Sequence, residues 1–174
     1  MAASVSLDLF LFLKDVSLFE SLSNAQLAEV ARLAERIDIV GDDVNKPLFY
    51  QGEPADCLYL IRKGKVSVIK NGQEIARLGA GETTGEMAVL AGIDRSATIK
   101  PMEPLVLLRF DADDFLALLD TYPEIQRALI RTLVVRLSNA NKPRETTRRA
   151  ETMHGMMWGG NAPDLKNAGF GPKK

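Results

Sequence analysis

Hydrophobic and polar positions along the chain follow three successive patterns, and the first is helical. Within residues 1–37 the apolar positions recur at helical spacing. Ser23 followed by Gln26 forms a capping box, which predicts a helix that begins near Asn24. The chain is therefore expected to open with an N-terminal helical segment over residues 1–37.

The second pattern, over residues 38–110, consists of short β-type runs separated by Gly, Pro, Asn and Asp. Asn71-Gly72 is a strong two-residue hairpin turn between two of these runs. Consecutive hairpins of this kind predict an all-β sandwich or roll. Its last two strands are expected at residues 95–100 and 105–110.

Helical spacing returns over residues 111–141, first at residues 111–120. A second helix is expected to start at Thr121, with Glu124 completing another capping box, and to run to about Asn141. Its apolar positions form two parallel stripes, Ile125, Leu129, Leu133 and Leu137 in one and Ile130 and Val134 in the other. Either both stripes pack within the domain, or one is a surface for a partner, which makes a homodimer plausible.

Residues 142–174 form a basic tail that contains Gly and Met, with seven Lys and Arg against three Asp and Glu. The tail is too short and too rich in Gly for a helix-turn-helix domain, so direct sequence-specific DNA binding is not expected. It nevertheless carries apolar side chains such as Met156 and Trp158, although it cannot bury a core of its own. Residues 146–174 are therefore a candidate docking segment for a protein partner.

Composition excludes several classes of protein. One His and one Cys in 174 residues argue against a metal centre, a disulfide framework and a cupin-type isomerase or dioxygenase. A net charge of -1 argues against a general nucleic-acid binder. No run approaches the roughly 20 apolar residues that span a bilayer, and no basic segment precedes the apolar run at residues 9–13. A cytoplasmic protein that is not transmembrane is expected.

The segment at residues 79–98 has the composition of a phosphate-binding turn. A Gly-rich turn leads into one short apolar helical turn, and a helix start presents free backbone N–H groups to an anion. Arg95 lies close enough in the chain to pair with the same anion through its planar fork. Glu86 is an acceptor suited to ribose hydroxyls, so a nucleotide is indicated. The alternative is that Glu86 is a solvated loop acid and Arg95 a charge at a strand edge.

The two motifs Gly85-Glu86-Met87-Ala88 and Arg95-Ser96-Ala97-Thr98 resemble the phosphate-binding cassette of cyclic nucleotide-binding domains. Residues 13–23 are similar to the N-terminal entry of that family, and residues 50–64 to its early strands. The resemblance covers about residues 13–138. It implies an α+β, mainly β fold, a jelly-roll-like cyclic nucleotide-binding β-roll with an N-terminal helix and two C-terminal helices.

The resemblance also implies a role for each residue of the cassette. Arg95 would pair with the cyclic phosphate, and Glu86 would accept from the ribose 2′-hydroxyl. Ser96 stands where the family has a residue that can touch the phosphate or a guanine. The implied ligand-binding residues are Gly85, Glu86, Met87, Ala88, Arg95 and Ser96. Thr84 departs from the family, which usually has an aromatic residue at this position. Cys57 and the side chain of Met87 are interpreted as parts of the hydrophobic core.

The residues that would contact the nucleotide base are harder to identify from the sequence than those that would bind the phosphate. In the family the last long helix commonly lies over the base, which makes Leu137, Ala140 and Asn141 candidates by position. Arg131 and Arg136 are candidates by chemistry. The ligand is expected to be cAMP or cGMP, and cAMP is preferred because it is the commoner of the two.

The predicted function is a regulatory module without enzymatic activity, since no nucleophile with a base, carboxylate pair or metal-ligand set is found in the sequence. The nucleotide would close the helices of residues 111–141 over the site and so signal to a partner. The alternative is an interaction subunit that keeps the fold, has lost signalling and docks through its tail. Thr84 and the apolar residues of the tail motivate this alternative.

Overall fold

The structure, a computed structural model, describes residues 6–140, except for the side chain of Ala140. The predicted tail at residues 142–174, its docking segment at 146–174 and Asn141 lie outside the described residues, so their interpretation stays a prediction.

Two helices, and not one, precede the strands. Helix α1 spans Leu7–Lys14, a one-turn 3₁₀ helix follows at Ser17–Phe19, and helix α2 spans Asn24–Leu33. The capping box at the start of α2 is confirmed, because the Ser23 N–H donates to Gln26 Oε1 at 2.8 Å and the Gln26 N–H donates to Ser23 Oγ at 3.4 Å.

The strands within residues 6–140 form two antiparallel sheets, which confirms the predicted β-roll. They are β1 Glu35–Ile39, β2 Cys57–Lys63, β3 Val66–Lys70, β4 Gln73–Leu78, β5 Thr83–Thr84, β6 Thr98–Pro101 and β7 Leu105–Asp111. One sheet has the order β1-β7-β2-β5 and the other β4-β3-β6. The Asn71-Gly72 turn joins β3 and β4, and both of its residues have positive φ, as a two-residue hairpin requires.

Two strand boundaries differ from the predictions. Strand β1 begins at Glu35, inside the segment that was predicted to be helical up to residue 37. Strand β6 begins at Thr98 and not at residue 95, because the backbone of Arg95 pairs elsewhere: its N–H donates to Glu53 O and its carbonyl accepts from Gly52 N, both at 2.8 Å.

Helix α4 spans Ala112–Thr121 and helix α5 spans Pro123–Ala140. The capping box predicted at Thr121 is wrong. Thr121 is the last residue of α4, and its hydroxyl donates to the Ala117 carbonyl at 2.8 Å. No helix in the described part of the chain is both long and apolar enough to cross a bilayer.

The main core joins the helices to the four-stranded sheet. It contains Leu13, Phe19, Leu27, Leu58, Leu60, Phe110, Phe115, Ile125 and Leu129. The first stripe of α5 therefore packs inward at Ile125 and Leu129. Ile130 and Val134 of the second stripe are 60% and 59% exposed, so this stripe does not pack on the N-terminal helices. A second cluster, which includes Phe49, Ile61 and Ile99, fills the roll.

Candidate functional site

The candidate site is built around the sharp turn from β5 into the short helix α3, Glu86–Ala91. Gly85 makes this turn with φ +86°, in the left-handed region that favours glycine. A Cβ atom at Gly85 would lie 2.6 Å from Arg95 Nη1 and 3.4 Å from the Cys57 carbonyl oxygen. Glycine is therefore required here both by the backbone conformation and by the approach of Arg95.

Arg95 is buried behind this turn, with 3% of its surface exposed. Its Nη1 donates to the Cys57 carbonyl at 2.7 Å and points to the Gly85 carbonyl at 3.4 Å. Its guanidinium carbon lies 4.1 Å from the centroid of the Phe49 ring, a cation–π contact. The carboxylate that faces it, Asp56, is 3.5 Å away and 76% exposed. Arg95 is thus not a strand-edge charge but a buried cation held by carbonyls and an aromatic face.

Asp56 connects this buried arginine to the start of helix α4. Its carboxylate lies 3.5 Å from Arg95 and 3.5 Å from Arg109, and its carbonyl accepts from the Ala112 N–H at 2.9 Å. The pKa of Asp56 is lowered, first by a hydrogen bond with the Cys57 side chain and then by its backbone hydrogen bond and the two arginine charges. Asp56 therefore stays ionised beside Arg95 at neutral pH.

Glu86 is also buried, with 2% of its surface exposed, so it is not a solvated loop acid. Its Oε1 accepts from Arg136 Nη1 at 2.6 Å. Its Oε2 is buried and has no hydrogen-bond partner of normal geometry within residues 6–140. The pKa of Glu86 is raised, because burial disfavours the carboxylate more than Arg136 and the Thr83 hydroxyl favour it. The structure thus brings an incompletely satisfied acceptor to the first position of α3.

Arg136 brings helix α5 to the same place. Besides its bond to Glu86, its Nη2 donates to the Thr83 carbonyl at 2.9 Å and lies 3.9 Å from Glu82 Oε1. Of the residues considered as contacts for the nucleotide base, Arg136 is the one that contacts the cassette. It binds the Glu86 carboxylate, the group expected to bind the ribose. Leu137 and Arg131 are exposed, whereas Ala140 and Asn141 lie beyond the described side chains.

The remaining predicted residues differ in their surroundings. Ala88 is buried and Ser96 is half-buried beside Arg95. Met87 was interpreted as core, and this is wrong, since 52% of its surface is exposed on the first turn of α3; the interpretation of Cys57 as buried is confirmed. Thr84 is buried and pairs with Tyr59 of β2, so a small hydroxyl residue occupies a core position where the resemblance implied an aromatic one.

Phe49 was not identified from the sequence. It precedes the turn at residues 50–53 as an ordinary apolar residue, and its contact with Arg95 spans 46 positions of the chain. The only local signal was its place just before a family-like turn.

A comparison with known families decides the classification of the site. Residues 44–122 match the family model described as "Cyclic nucleotide-binding domain". This segment is similar to cyclic nucleotide-binding domains. The matched segment contains the turn at Gly85, the buried pair Glu86 and Arg95, and helix α4.

Proteins with similar sequences are longer than this chain. An uncharacterised NTE family protein of Mycobacterium tuberculosis is 31% identical over 138 residues, which are 79% of this chain and 23% of that protein. The cyclic AMP receptor protein of Thermus thermophilus is 40% identical over 101 residues, 55% of this chain and 47% of the receptor. The chain thus spans less than half the length of either relative.

Solved structures agree with the fold. The crystal structure of the Thermus thermophilus catabolite activator protein superimposes with a TM-score of 0.62 at 30% identity, covering 81% of this chain and 62% of that one.

Proposed function

We propose that this domain binds a 3′,5′-cyclic nucleotide, with cAMP preferred over cGMP, and that it acts as a regulatory module without turning the nucleotide over. The observation that carries the proposal is the burial of Glu86, which follows Gly85, and of Arg95, which lies against Gly85, within the segment that matches the family model. Buried charged groups are costly unless partners meet them. Glu86 Oε2 and Arg95 Nε are both buried without a hydrogen-bond partner of normal geometry within residues 6–140, and a polar ligand would supply one.

The roles follow the charges of the two groups. Arg95 pairs with the cyclic phosphate, assisted by the backbone of Met87 and Ala88 at the start of α3 and by Ser96. Glu86 accepts a hydrogen bond from the ribose 2′-hydroxyl. The preference for cAMP is supported by the relative from Thermus thermophilus, which is named a cyclic AMP receptor protein.

Signalling would begin at Asp56. When Arg95 turns toward a phosphate, its 3.5 Å contact with Asp56 weakens, and Asp56 is left with Arg109 and with the first N–H of α4. We therefore propose that nucleotide binding shifts the population of positions that α4 and α5 adopt, and that a partner protein recognises this shift.

Thermal unfolding of the full chain with cAMP, cGMP, AMP or no ligand tests the proposal. A ligand at 100 times its dissociation constant adds about 2.7 kcal/mol of stability. A rise with cAMP and none with AMP is expected. It should be lost in Arg95→Ala and kept in Arg131→Ala, an exposed arginine on α5 with no partner among the described residues. Because Arg95→Ala removes a buried side chain and can destabilise the fold, Arg95→Lys is the second variant, and its affinity for cAMP is measured by calorimetric titration. A wild type that responds to no cyclic nucleotide would refute the proposal.

The interaction subunit that docks through residues 146–174 stays an alternative, and the exposed face of α5 favours a further candidate, self-association of this chain. Ile130, Val134 and Leu137 lie at i, i+4 and i+7, and all are more than half exposed. Such a line is the seam that two helices use to pair, so we propose a homodimer through α5. Sedimentation velocity should give a dimer that Val134→Glu converts to monomer, with Val135→Glu as the control, since Val135 is also exposed but lies about 100° away around α5. A monomer at all concentrations would exclude this dimer and leave docking through residues 146–174, which a pull-down with that segment deleted would test.

A further inference from the structure

We infer that Asn71, at the tip of the β3–β4 hairpin, is a site of covalent modification: the backbone nitrogen of Gly72 converts its side-chain amide to aspartate and isoaspartate, and the side chain of Gln51 controls the rate. This chemistry belongs to the hairpin itself and does not depend on nucleotide binding.

The turn exposes a reactive pair of residues. Asn71 and Gly72 form the only Asn-Gly pair in the sequence, and both are exposed. Because glycine has no Cβ atom, its backbone nitrogen can approach the preceding side chain more closely than that of any other residue. A Cβ atom at Gly72 would meet no atom within 4 Å, so no neighbouring group crowds this nitrogen.

The reaction needs only solvent water. The Gly72 nitrogen attacks Asn71 Cγ and closes a succinimide ring. The Cγ–Nδ2 bond breaks, and ammonia leaves with the proton that the Gly72 nitrogen gives up. Water then opens the ring, either at Cγ, which yields aspartate, or at the main-chain carbonyl carbon, which yields isoaspartate. Each product has lost one ammonia and gained one water, so no oxidant or second substrate is required.

The side chain of Gln51 holds Asn71 at two points. Gln51 Oε1 accepts from the Asn71 backbone N–H at 2.9 Å, and Gln51 Nε2 donates to Asn71 Oδ1 at 3.0 Å. The Asn71 side chain has to leave this clasp before Cγ can turn toward the Gly72 nitrogen. The reaction therefore proceeds from the fraction of molecules in which the clasp is open, and Gln51 keeps that fraction small.

The modification would loosen structure on both sides of the clasp. Lys70 pairs with Gln73, so two residues close the hairpin, and the additional main-chain carbon of isoaspartate no longer fits such a turn. Gln51 would lose its partner. Its own turn, residues 50–53, holds the backbone of Arg95 through two hydrogen bonds of 2.8 Å. Conversion at the hairpin tip is therefore expected to reach the turn that pairs with Arg95.

Peptide mass spectrometry of the full chain, incubated for several days at neutral pH, tests the inference. Asn71 should convert before Asn24 and Asn45, which are also exposed but precede residues with a Cβ atom. In Gln51→Ala the conversion of Asn71 should be about fivefold faster, the change in open population expected when a net hydrogen bond is lost. Gln73→Ala, an exposed glutamine of the same hairpin, should keep the wild-type rate.

Unfolding the chain in urea separates the effect of the clasp from that of the local sequence. In urea the wild type and Gln51→Ala should convert at the same rate, because the clasp is absent from both. Hydrogen exchange at residues 50–53 should be faster in the converted folded protein than in the fresh one.

Three results would overturn the inference. The first is conversion of Asn24 or Asn45 as fast as that of Asn71. The second is equal conversion rates in folded Gln51→Ala and Gln73→Ala. The third is unchanged hydrogen exchange at residues 50–53 after conversion, which would show that Asn71 does not hold this turn.

Discussion

Replacing Gly85 by alanine tests whether the cassette turn and the buried arginine are built as one unit. Gly85 has φ +86°, so any L side chain there is strained by about 1–2 kcal/mol. The new Cβ would also lie 2.6 Å from Arg95 Nη1, which forces the guanidinium to move. If it gives up its bond to the Cys57 carbonyl, a hydrogen bond from a charged donor is lost, worth about 1.5–3 kcal/mol. The expected total is roughly 2.5–5 kcal/mol.

Gly92 supplies a matched control at the other end of α3. It has φ +62°, and a Cβ there would meet no atom within 4 Å. Gly92→Ala should therefore cost only the backbone strain, about 1–2 kcal/mol. The difference between the two substitutions, about 2 kcal/mol, isolates the contact with Arg95.

Equilibrium unfolding in urea measures both losses, provided that the dependence on urea is unchanged. In an Arg95→Ala background the excess cost of Gly85→Ala should disappear, because the clashing group is absent. Equal losses for the two glycines in the wild-type background would refute the reasoning. An excess that persists without Arg95 would show that the strain arises elsewhere.

Three further results are expected. The raised pKa of Glu86 means that the folded state binds more protons than the unfolded state above pH 4.5, so the free energy of unfolding should fall as pH rises through the raised pKa. In Glu86→Gln the urea midpoint should depend less on pH between pH 4.5 and 7, and an unchanged pH dependence would contradict this prediction. Phe49→Leu should weaken cAMP binding severalfold in calorimetric titration, whereas Phe49→Tyr should keep the wild-type affinity, because only an aromatic face stacks on Arg95. Equal affinities of the two variants for cAMP would rule out the stacking role. Ile125→Ala should lower the free energy of unfolding in urea by about 2–5 kcal/mol, whereas Ile130→Ala, at an exposed site of the same helix, should lower it by less than about 1 kcal/mol. Similar losses of stability in the two variants would mean that α5 packs differently.

Local signals were the ones that sequence reasoning interpreted correctly. The Ser23 capping box and the Asn71-Gly72 turn each depend on a few adjacent residues, and both are confirmed. Helix α1 was missed because residues 9–13 are apolar on every face and show no helical period. The second capping box failed because α4 continues through Thr121, held by the burial of Leu118 and Leu119 in the main core.

The residues of the candidate site also divide into those that a local pattern identifies and those that it does not. The spacing from Gly85 to Arg95 identified the two buried charged groups, since both lie within one short segment. Arg136 and Phe49 contact these groups from about 50 positions away in the chain, and no local pattern distinguishes Arg136 from Arg131. Which arginine of α5 reaches Glu86 depends on how the helix packs across the sheet, and this is determined by the buried residues Ile125 and Leu129.

The pairing of β7 between β1 and β2 has a consequence for synthesis of the chain. Glu35 lies opposite Arg109, and Leu60 lies opposite Leu108, so neither earlier strand has its central neighbour until residue 111 has left the ribosome. At about 5–20 residues per second, β2 waits roughly 2–10 seconds with apolar side chains unpaired. The nascent chain is therefore most vulnerable to aggregation in this interval, when chaperones would be needed most.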